Sequence, residues 1–402
     1  VAGGKALVAG SVGPTGLMME PFGPATFEDF YQAFAIQVGS LAEGGVDLIL
    51  FETMSDLSEI RAGILAAKEN TKLPIFCSMT FDKNGRTLMG IGPETTAYVL
   101  EALGVDAIGA NCSTGPKELL AIMERMAFVT SLPLIAQPNA GLPILRGDKV
   151  VYDETPANFG AYANQFVQKG VGIIGGCCGT TPEHIRQLSR ALDGAVLPSR
   201  GVVSGTVLSS RRKTYVIGEN TAPLLIGGSL NLELDPGLKT DLEDQKFDGF
   251  FNKAISRIEE GAQVILFNTG ALSVDPKLLQ KAIMHVQSGL DVPVAIKADN
   301  GHLLTEGLKV VQGKALLVVS LTAKGQVNSV LGLAKKYGAL VLAILPEVNK
   351  SVGRNMVSSL VLEAQESGFR KSELLIGYQV LEAGNYRVGM QLVHELGQEF
   401  GL

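Results

Sequence analysis

The stretch "VDLILFET", Val46–Thr53, sets an apolar run, Leu48–Phe51, directly against two polar residues, Glu52 and Thr53. A strand buried on both faces reads as an unbroken apolar run, not as an alternation, and that is the signature of a parallel sheet. The same design recurs in "KALVAGS" from Lys5, "LPIFCSMTF" from Leu73, "VDAIGANCS" from Val105, "LPLIAQPN" from Leu132 and "VGIIGGCCG" from Val171. Between the runs lie stretches such as "TFEDFYQAFAIQVGSLAEGG", with apolar residues at helical spacing and a glycine stop. The pattern predicts repeated βα units.

Several runs end on polar or reactive residues: Glu52 and Thr53, Asn111 and Cys112, Gln137 and Asn139, Cys177 and Cys178. An open doubly wound sheet would collect a ligand at one switch point. Side chains from four separated strand ends fit better the C-terminal mouth of a closed barrel. The expected fold class is therefore α/β, with (β/α)8-type barrels. Only six units are visible in the first half, so two strands are expected upstream of Val1. The start "VAGGKALVAGS" without methionine and the end "ELGQEFGL" on a helix-like segment read as a trimmed chain.

The rhythm breaks at "DGAVLPSRGVVSGTVLSSRRKT", Asp193–Thr214, rich in Gly, Ser, Pro and basic residues. A second series follows: "YVIGENTAPLLIGG", "AQVILFNTG", "VPVAIKADN", "KALLVVSLT", "GALVLAILPE" and "ELLIGYQV". The expected organisation is a first barrel over 1–195, a linker over 196–214 and a second barrel over 215–402. The two stand in tandem, the first lacking its N-terminal strands and the second cut short.

The chain of 402 residues carries 46% hydrophobic residues, 48 glycines and a net charge of −6. Its mean hydropathy of +0.24 suits a well-cored α/β protein. The negative balance and the lack of a long basic tract argue against a nucleic-acid partner. "SSRRKT", Ser209–Thr214, reads as a solvated linker. No apolar run approaches the roughly 20 residues of a bilayer span, which argues against a membrane partner. No signal peptide is recognisable, and cysteines are few, so a reducing, cytoplasmic setting is expected.

There are four cysteines. Cys77 lies mid-run in "PIFCSMT" and reads as a buried apolar filler. Cys112 and the adjacent pair Cys177–Cys178 fall at strand ends. Neighbouring cysteines close a small ring that is poorly suited to disulfide geometry. Three thiolates from two strands instead suit Zn2+ and leave a fourth tetrahedral position open. "TTPEHI" after the pair reads as a helix start, with Thr180 or Thr181 capping and Pro182 in the first turn. Ordinary buried cysteines remain the plainer alternative.

With "GANCSTGP", "QPNAGLP", "VDLILFETMSDL" and "GSVGPTG", the stretch "IGGCCGTTPEHI" resembles the homocysteine S-methyltransferase family, nearest to the homocysteine module of cobalamin-dependent methionine synthases. The resemblance covers about residues 5–195. It implies Cys112, Cys177 and Cys178 as catalytic zinc ligands, homocysteine as substrate and Glu52 as partner of its ammonium group. Asn139 would bind the amino acid or support the metal site. A metal-bound thiol loses its proton and becomes a nucleophile toward a methyl group. The family's "DGAMGT"-type strand and second strand ending "ETNTF" are not found, in keeping with the two strands expected upstream.

Residues 215–402 resemble the pterin-binding barrel that follows this module, through "VIGENT", "EEGAQVILFN" and "EGLKVVQGKALL". The family's hydrogen-bonding residues correspond to Leu266, Lys297 and Val318, and its first-strand "ERTN" to "ENTA", Glu219–Ala222. Asn268 alone keeps a pterin-type contact. Losing a partner costs about 1–3 kcal/mol for each buried polar group. The expectation is a degenerate site that does not bind folate, with Asp299 and Asn300 as the residues that could compensate. No "DxHxxG" surrounds His184, His285, His302 or His394, so methylcobalamin would sit on a missing or separate corrinoid domain or protein. The reading that follows is zinc-dependent methyl transfer to homocysteine. Its rivals are a non-catalytic zinc- or thiol-binding scaffold, and a transferase using a non-folate donor such as S-methylmethionine.

Overall fold

A computed structural model of the chain describes residues 4–201, 205–218, 221–322, 326–346, 349–378 and 386–402. The chain divides into two compact units, Val1–Ser204 and Gly205–Leu402. Each is built on its own six-stranded sheet of parallel neighbours in sequence order.

In the first unit the strands are β1 (Ala9–Val12), β2 (Leu48–Met54), β3 (Ile75–Met79), β4 (Ala107–Asn111) and β5 (Leu134–Gln137). A small antiparallel hairpin, β6 (Ile144–Arg146) and β7 (Lys149–Val151), precedes β8 (Ile173–Ile174). The sheet order is β1-β2-β3-β4-β5-β8, with no pairing between β1 and β8 among the described residues. Parallel neighbours need a crossover, and a helix supplies each one. The helix Phe27–Glu43 starts on a capping box in which Thr26 and Asp29 satisfy each other's backbone N–H groups. Helix Leu57–Asn70 is buried from Leu57 through Ala67, including Glu59. Glu59 accepts from both the backbone N–H and the hydroxyl of Thr15, at 2.7 and 2.8 Å, and so pins the "GSVGPTG" loop to that helix.

Side chains alternate across a strand. The register Leu50↔Phe76, Ser78↔Gly109 and Asn111↔Gln137 therefore puts Glu52, Ser78, Asn111 and Gln137 on one face. Leu50 and Phe76 occupy that face nearer the strand starts, so it turns polar toward the strand ends. Cys77 faces the other way and is fully buried, and burial pushes its thiol up. That is the apolar role expected of it.

The second unit opens with an antiparallel hairpin, β9 (Thr206–Ser209) and β10 (Thr214–Ile217). Its parallel sheet is β11 (Ile226–Asn231), β12 (Val264–Gly270), β13 (Val294–Ala298), β14 (Leu316–Ser320), β15 (Leu340–Leu345) and β16 (Leu374–Tyr378). Two expectations change here. The segment 196–214 is not linker throughout: Thr206–Ser209 is a strand, and fully buried Leu208 packs with Val264, Ala295, Leu316 and Leu340 at the strand starts. "YVIGENTAPLLIGG" is not one strand but a hairpin arm and the first parallel strand in succession, because "SSRRK" turns the chain back on itself. The family-like "ENTA" is thus not the first-strand end. Glu219 and Asn220 lie outside the described residues, and Asn231 takes that position, level with Asn268.

Candidate metal centre

Residues far apart in sequence meet at the C-terminal ends of β2, β4, β5 and β8. Cys112 follows β4, and its N–H donates to Gln137 O at 3.2 Å. Cys177 and Cys178 follow β8, where Cys177 N–H donates to Pro138 O at 2.9 Å. The three sulfurs all lie within 4.8 Å of one another. Cys112 Sγ is 3.8 Å from Cys178 Sγ, and Cys177 Sγ is 4.0 Å from Cys178 Sγ. Thiolates bound tetrahedrally at a zinc–sulfur distance of about 2.3 Å stand roughly 3.8 Å apart. The sulfurs thus match a three-thiolate zinc site without rearrangement. No other group of three or more metal-ligating side chains occurs among the described residues.

Packed this closely, the sulfurs share their protons. A hydrogen bond with Cys177 holds the Cys112 thiol down to about 5 against its burial, with help from the Ser113 N–H, Cys178 and Asn139. The same bond pushes Cys177 up, together with burial and the neighbouring sulfurs. The two thiols are thus shifted in opposite directions and titrate as a pair.

The surroundings hold this arrangement in place. Asn139, the expected support residue, accepts the Cys178 N–H on its Oδ1 at 3.0 Å. The helix Pro182–Ala191 begins just beyond the pair with Thr181 as N-cap, as its sequence predicts. His184 is buried against Phe159, and its Nδ1 lies 2.9 Å from the Thr181 hydroxyl. Glu52 is half-buried on the polar face, and the Ser11 hydroxyl donates to its carboxylate.

Asn111 is a residue that the sequence reading placed at a strand end without giving it a role. Its Oδ1 accepts the Thr53 N–H and its Nδ2 donates to the Thr53 hydroxyl, both at 2.8 Å. The same Nδ2 lies 3.8 Å from Cys177 Sγ. Thr53 and Cys112 both have φ of 63°, a left-handed conformation that costs a non-glycine residue of order 1 kcal/mol or more. The paired Asn111–Thr53 bonds sit between these two residues and hold both turns. The signal available beforehand was the "NC" adjacency in "GANCS". Nearby, Gln137 Oε1 and Ser78 Oγ are buried without hydrogen-bond partners, leaving polar capacity on the same face.

The second unit places its candidate residues differently. Leu266 packs against an apolar cluster that includes Val318, so neither position offers a hydrogen bond. Asn268 is buried and accepts the Gly270 N–H at 3.0 Å, level with Lys297 on the next strand. Asn300 is occupied in capping the helix Gly301–Val310, accepting the His302 N–H at 2.8 Å.

Residues 1–192 match the family model of homocysteine S-methyltransferase, and residues 236–367 match that of the CO dehydrogenase/acetyl-CoA synthase delta subunit. A methionine synthase of Mycobacterium tuberculosis (strain ATCC 25618 / H37Rv) is 28% identical over 322 residues, 78% of this chain and 27% of that protein. The chain thus spans about a quarter of the length of that curated relative. Among solved structures, the apo form of the homocysteine methyltransferase MmuM from Escherichia coli is 28% identical, with a TM-score of 0.38 over 46% of this chain and 62% of that one. Its metallated form gives the same identity and TM-score over 46% and 60%. Among the described residues no helix is long and apolar enough to cross a membrane.

Residues 1–192 are thus similar to homocysteine S-methyltransferases over about half of the chain.

Proposed function

From that similarity we propose that the first unit binds zinc through Cys112, Cys177 and Cys178 and transfers a methyl group to the thiolate of homocysteine, giving methionine. The observation that carries the reading is the sulfur geometry, 3.8 and 4.0 Å between neighbours, at the polar end of a parallel sheet. Zinc, when bound, lowers the pKa of a coordinated thiol and so supplies a nucleophile at neutral pH. The protein's own residues do the rest. Glu52, held by Ser11, pairs with the substrate ammonium group. Gln137 Oε1 and Ser78 Oγ offer open hydrogen-bonding positions to a polar ligand. Asn139 and Asn111 keep the two cysteine-bearing turns in register.

The wider assignment extends from the same reading. Residues 1–195 and 215–402 are two barrel-type units in tandem in a protein working in the cytoplasm. The second is a pterin-type barrel that has exchanged its folate contacts for the apolar Leu266 and Val318 and the cationic Lys297. Asn268 is the residue of the old site that persists. The methyl group then comes from a corrinoid carried on a separate domain or protein, or from a non-folate donor such as S-methylmethionine.

Elemental analysis of the purified chain tests the core of this proposal. One zinc per chain, lost in Cys177→Ala, is expected. Added homocysteine should raise the sulfur coordination of the metal from three toward four. A folded chain that takes up no zinc would overturn the reading.

A further inference from the structure

Helices cover one face of the second unit's sheet. Phe267 stacks on Phe250 of the helix Asp248–Glu259, and a Cβ on Gly307 of the helix Gly301–Val310 would lie 2.7 Å from Ile296 Cδ1. Asn268 and Lys297 follow Phe267 and Ile296 and so stand on the other face. The register sets three polar residues there in one row, Asn231 paired with Asn268 and Asn268 with Lys297. This row has spent its acceptors and kept its donors. Asn231 Oδ1 accepts the Glu233 and Leu234 N–H groups at 3.1 and 3.4 Å, and Asn268 Oδ1 accepts the Gly270 N–H at 3.0 Å. These bonds identify the oxygens, because a backbone N–H cannot donate to an amide nitrogen. Both Nδ2 groups and the half-buried Lys297 Nζ are without a partner among the described residues. Beyond Lys297 the row turns apolar. Ile296 pairs with Leu317, which puts Val318 level with Lys297; Val318 then pairs with Leu342, and Leu342 with Leu375. Leu342 and Leu375 are only partly buried. Strands stand about 4.8 Å apart, so apolar surface begins about 5 Å from the ammonium and continues for roughly 10 Å.

We propose that this row binds a monocarboxylate with a short apolar body, its carboxylate held by Lys297 and Asn268 and its chain lying along Val318, Leu342 and Leu375. An ammonium and an amide NH2 on neighbouring strands call for an acceptor-only group, and a carboxylate supplies two oxygens to such donors. A ligand edge rich in donors would find no acceptor left on either asparagine. One formal positive charge matches one negative charge. A dianion is disfavoured by Glu233, which lies over Gly270, where a Cβ would fall 1.9 Å from the Glu233 Cδ. Its Oε1 accepts the Ala271 N–H at 2.9 Å, which holds that negative charge beside the row. The proposal concerns the second unit alone and does not depend on the zinc reading of the first.

The test titrates hexanoate, butyrate, hexyl phosphate and inorganic phosphate into the full chain by calorimetry, comparing wild type with Lys297→Met and Asn268→Asp. Methionine keeps the stem of Lys297 and removes its charge. Aspartate keeps the oxygen that accepts the Gly270 N–H and replaces the NH2 donor with an acceptor. Hexanoate should bind wild type and weaken roughly 10- to 100-fold in Lys297→Met, the equivalent of one charged hydrogen bond, and should weaken in Asn268→Asp as well. Butyrate, two methylenes shorter, should bind roughly tenfold more weakly than hexanoate. Lys297 makes no ion pair, so Lys297→Met should melt no lower than wild type; a clearly lower melting point would make the ammonium structural and overturn the inference. Equal hexanoate affinity in wild type and Lys297→Met would place the bound acid elsewhere and overturn it too, as would no binding at millimolar hexanoate. Either phosphate binding more tightly than hexanoate, and lost in the same variants, would replace the carboxylate site with a phosphate site. Zinc content reads the first unit separately and should be the same in every variant.

Discussion

Asn139 reaches across 39 residues of sequence to accept the backbone N–H of Cys178 at 3.0 Å, tying the turn after one strand to the turn after the next. This bond fixes where the Cys178 sulfur points. Groups that orient a ligand without touching the metal typically change metal affinity 10–100-fold. Asn139→Ala should therefore still bind zinc, but about tenfold more weakly or worse. Competition with a chromogenic chelator reads this directly, and unchanged affinity would remove Asn139 from the site.

Glu52 carries the negative charge proposed to meet the substrate ammonium. Hydrogen bonds to charged groups contribute about 1.5–3 kcal/mol, so Glu52→Gln should weaken homocysteine binding roughly 10–100-fold. Zinc content should not change, because Glu52 is not among the clustered ligands. Calorimetric titration of homocysteine into the zinc-loaded variant checks both halves of the statement.

The clustered thiols predict an unusual pH profile in metal-free protein. Cys112 is held down to about 5 by its hydrogen bond with Cys177, and Cys177 is pushed up in turn. One equivalent of thiolate should react with iodoacetamide from about pH 5 upward, and a second should stay unreactive well past neutrality. Cys177→Ala removes the largest cause of the shift, so the first midpoint should rise toward the ordinary thiol value of 9.0. A single midpoint near that value in the unmutated chain would contradict the cluster.

In the second unit, the buried Lys314 Nζ lies 3.1 Å from Glu373 Oε1, and Arg370 lies 2.7 Å from the same oxygen. Burial pushes the Glu373 carboxyl up, but Arg370 and Lys314 outweigh it and leave it below its ordinary 4.5. A depressed carboxyl stabilises the fold above its unfolded pKa and loses that contribution as pH falls through the folded one. Lys314→Met should cost about 3 kcal/mol in urea unfolding at pH 7, because it strips one partner from a buried charge. The difference between variant and parent should shrink below about pH 4.5, as Glu373 protonates. A gap that stays constant with pH would assign the loss to packing instead.

Gly109 lies in β4, where a Cβ would fall 1.9 Å from the carbonyl oxygen of Ile135 on β5. Backbone cannot yield as a flexible side-chain tip can. Gly109→Ala should destabilise the first unit by about 3 kcal/mol, at the upper end of overpacking costs. Thermal melting followed by zinc retention would show both effects, since Cys112 follows the same strand.

The apolar runs and their polar ends determined by themselves that this is a chain of parallel βα units, because a strand buried on both faces admits little else. They also marked Cys112, Cys177, Cys178, Glu52 and Asn139, since each falls where a run stops. Cys77 was legible for the opposite reason, lying within a run. The division of 193–217 was not legible. Thr206–Ser209 becomes a strand only because Leu208 finds a core made by residues more than 50 positions away. Nor could spacing predict the Asn111–Thr53 pair or the left-handed turns it holds, since these depend on where β2 and β4 end relative to one another. The row Asn231, Asn268 and Lys297 is the clearest case. In sequence these are three scattered polar residues, and only the register of β11, β12 and β13 sets them side by side. Local pattern dictates what a segment becomes and which of its faces is buried. Which distant side chain completes a hydrogen bond is settled by the packing of strands and turns whose positions no single segment encodes.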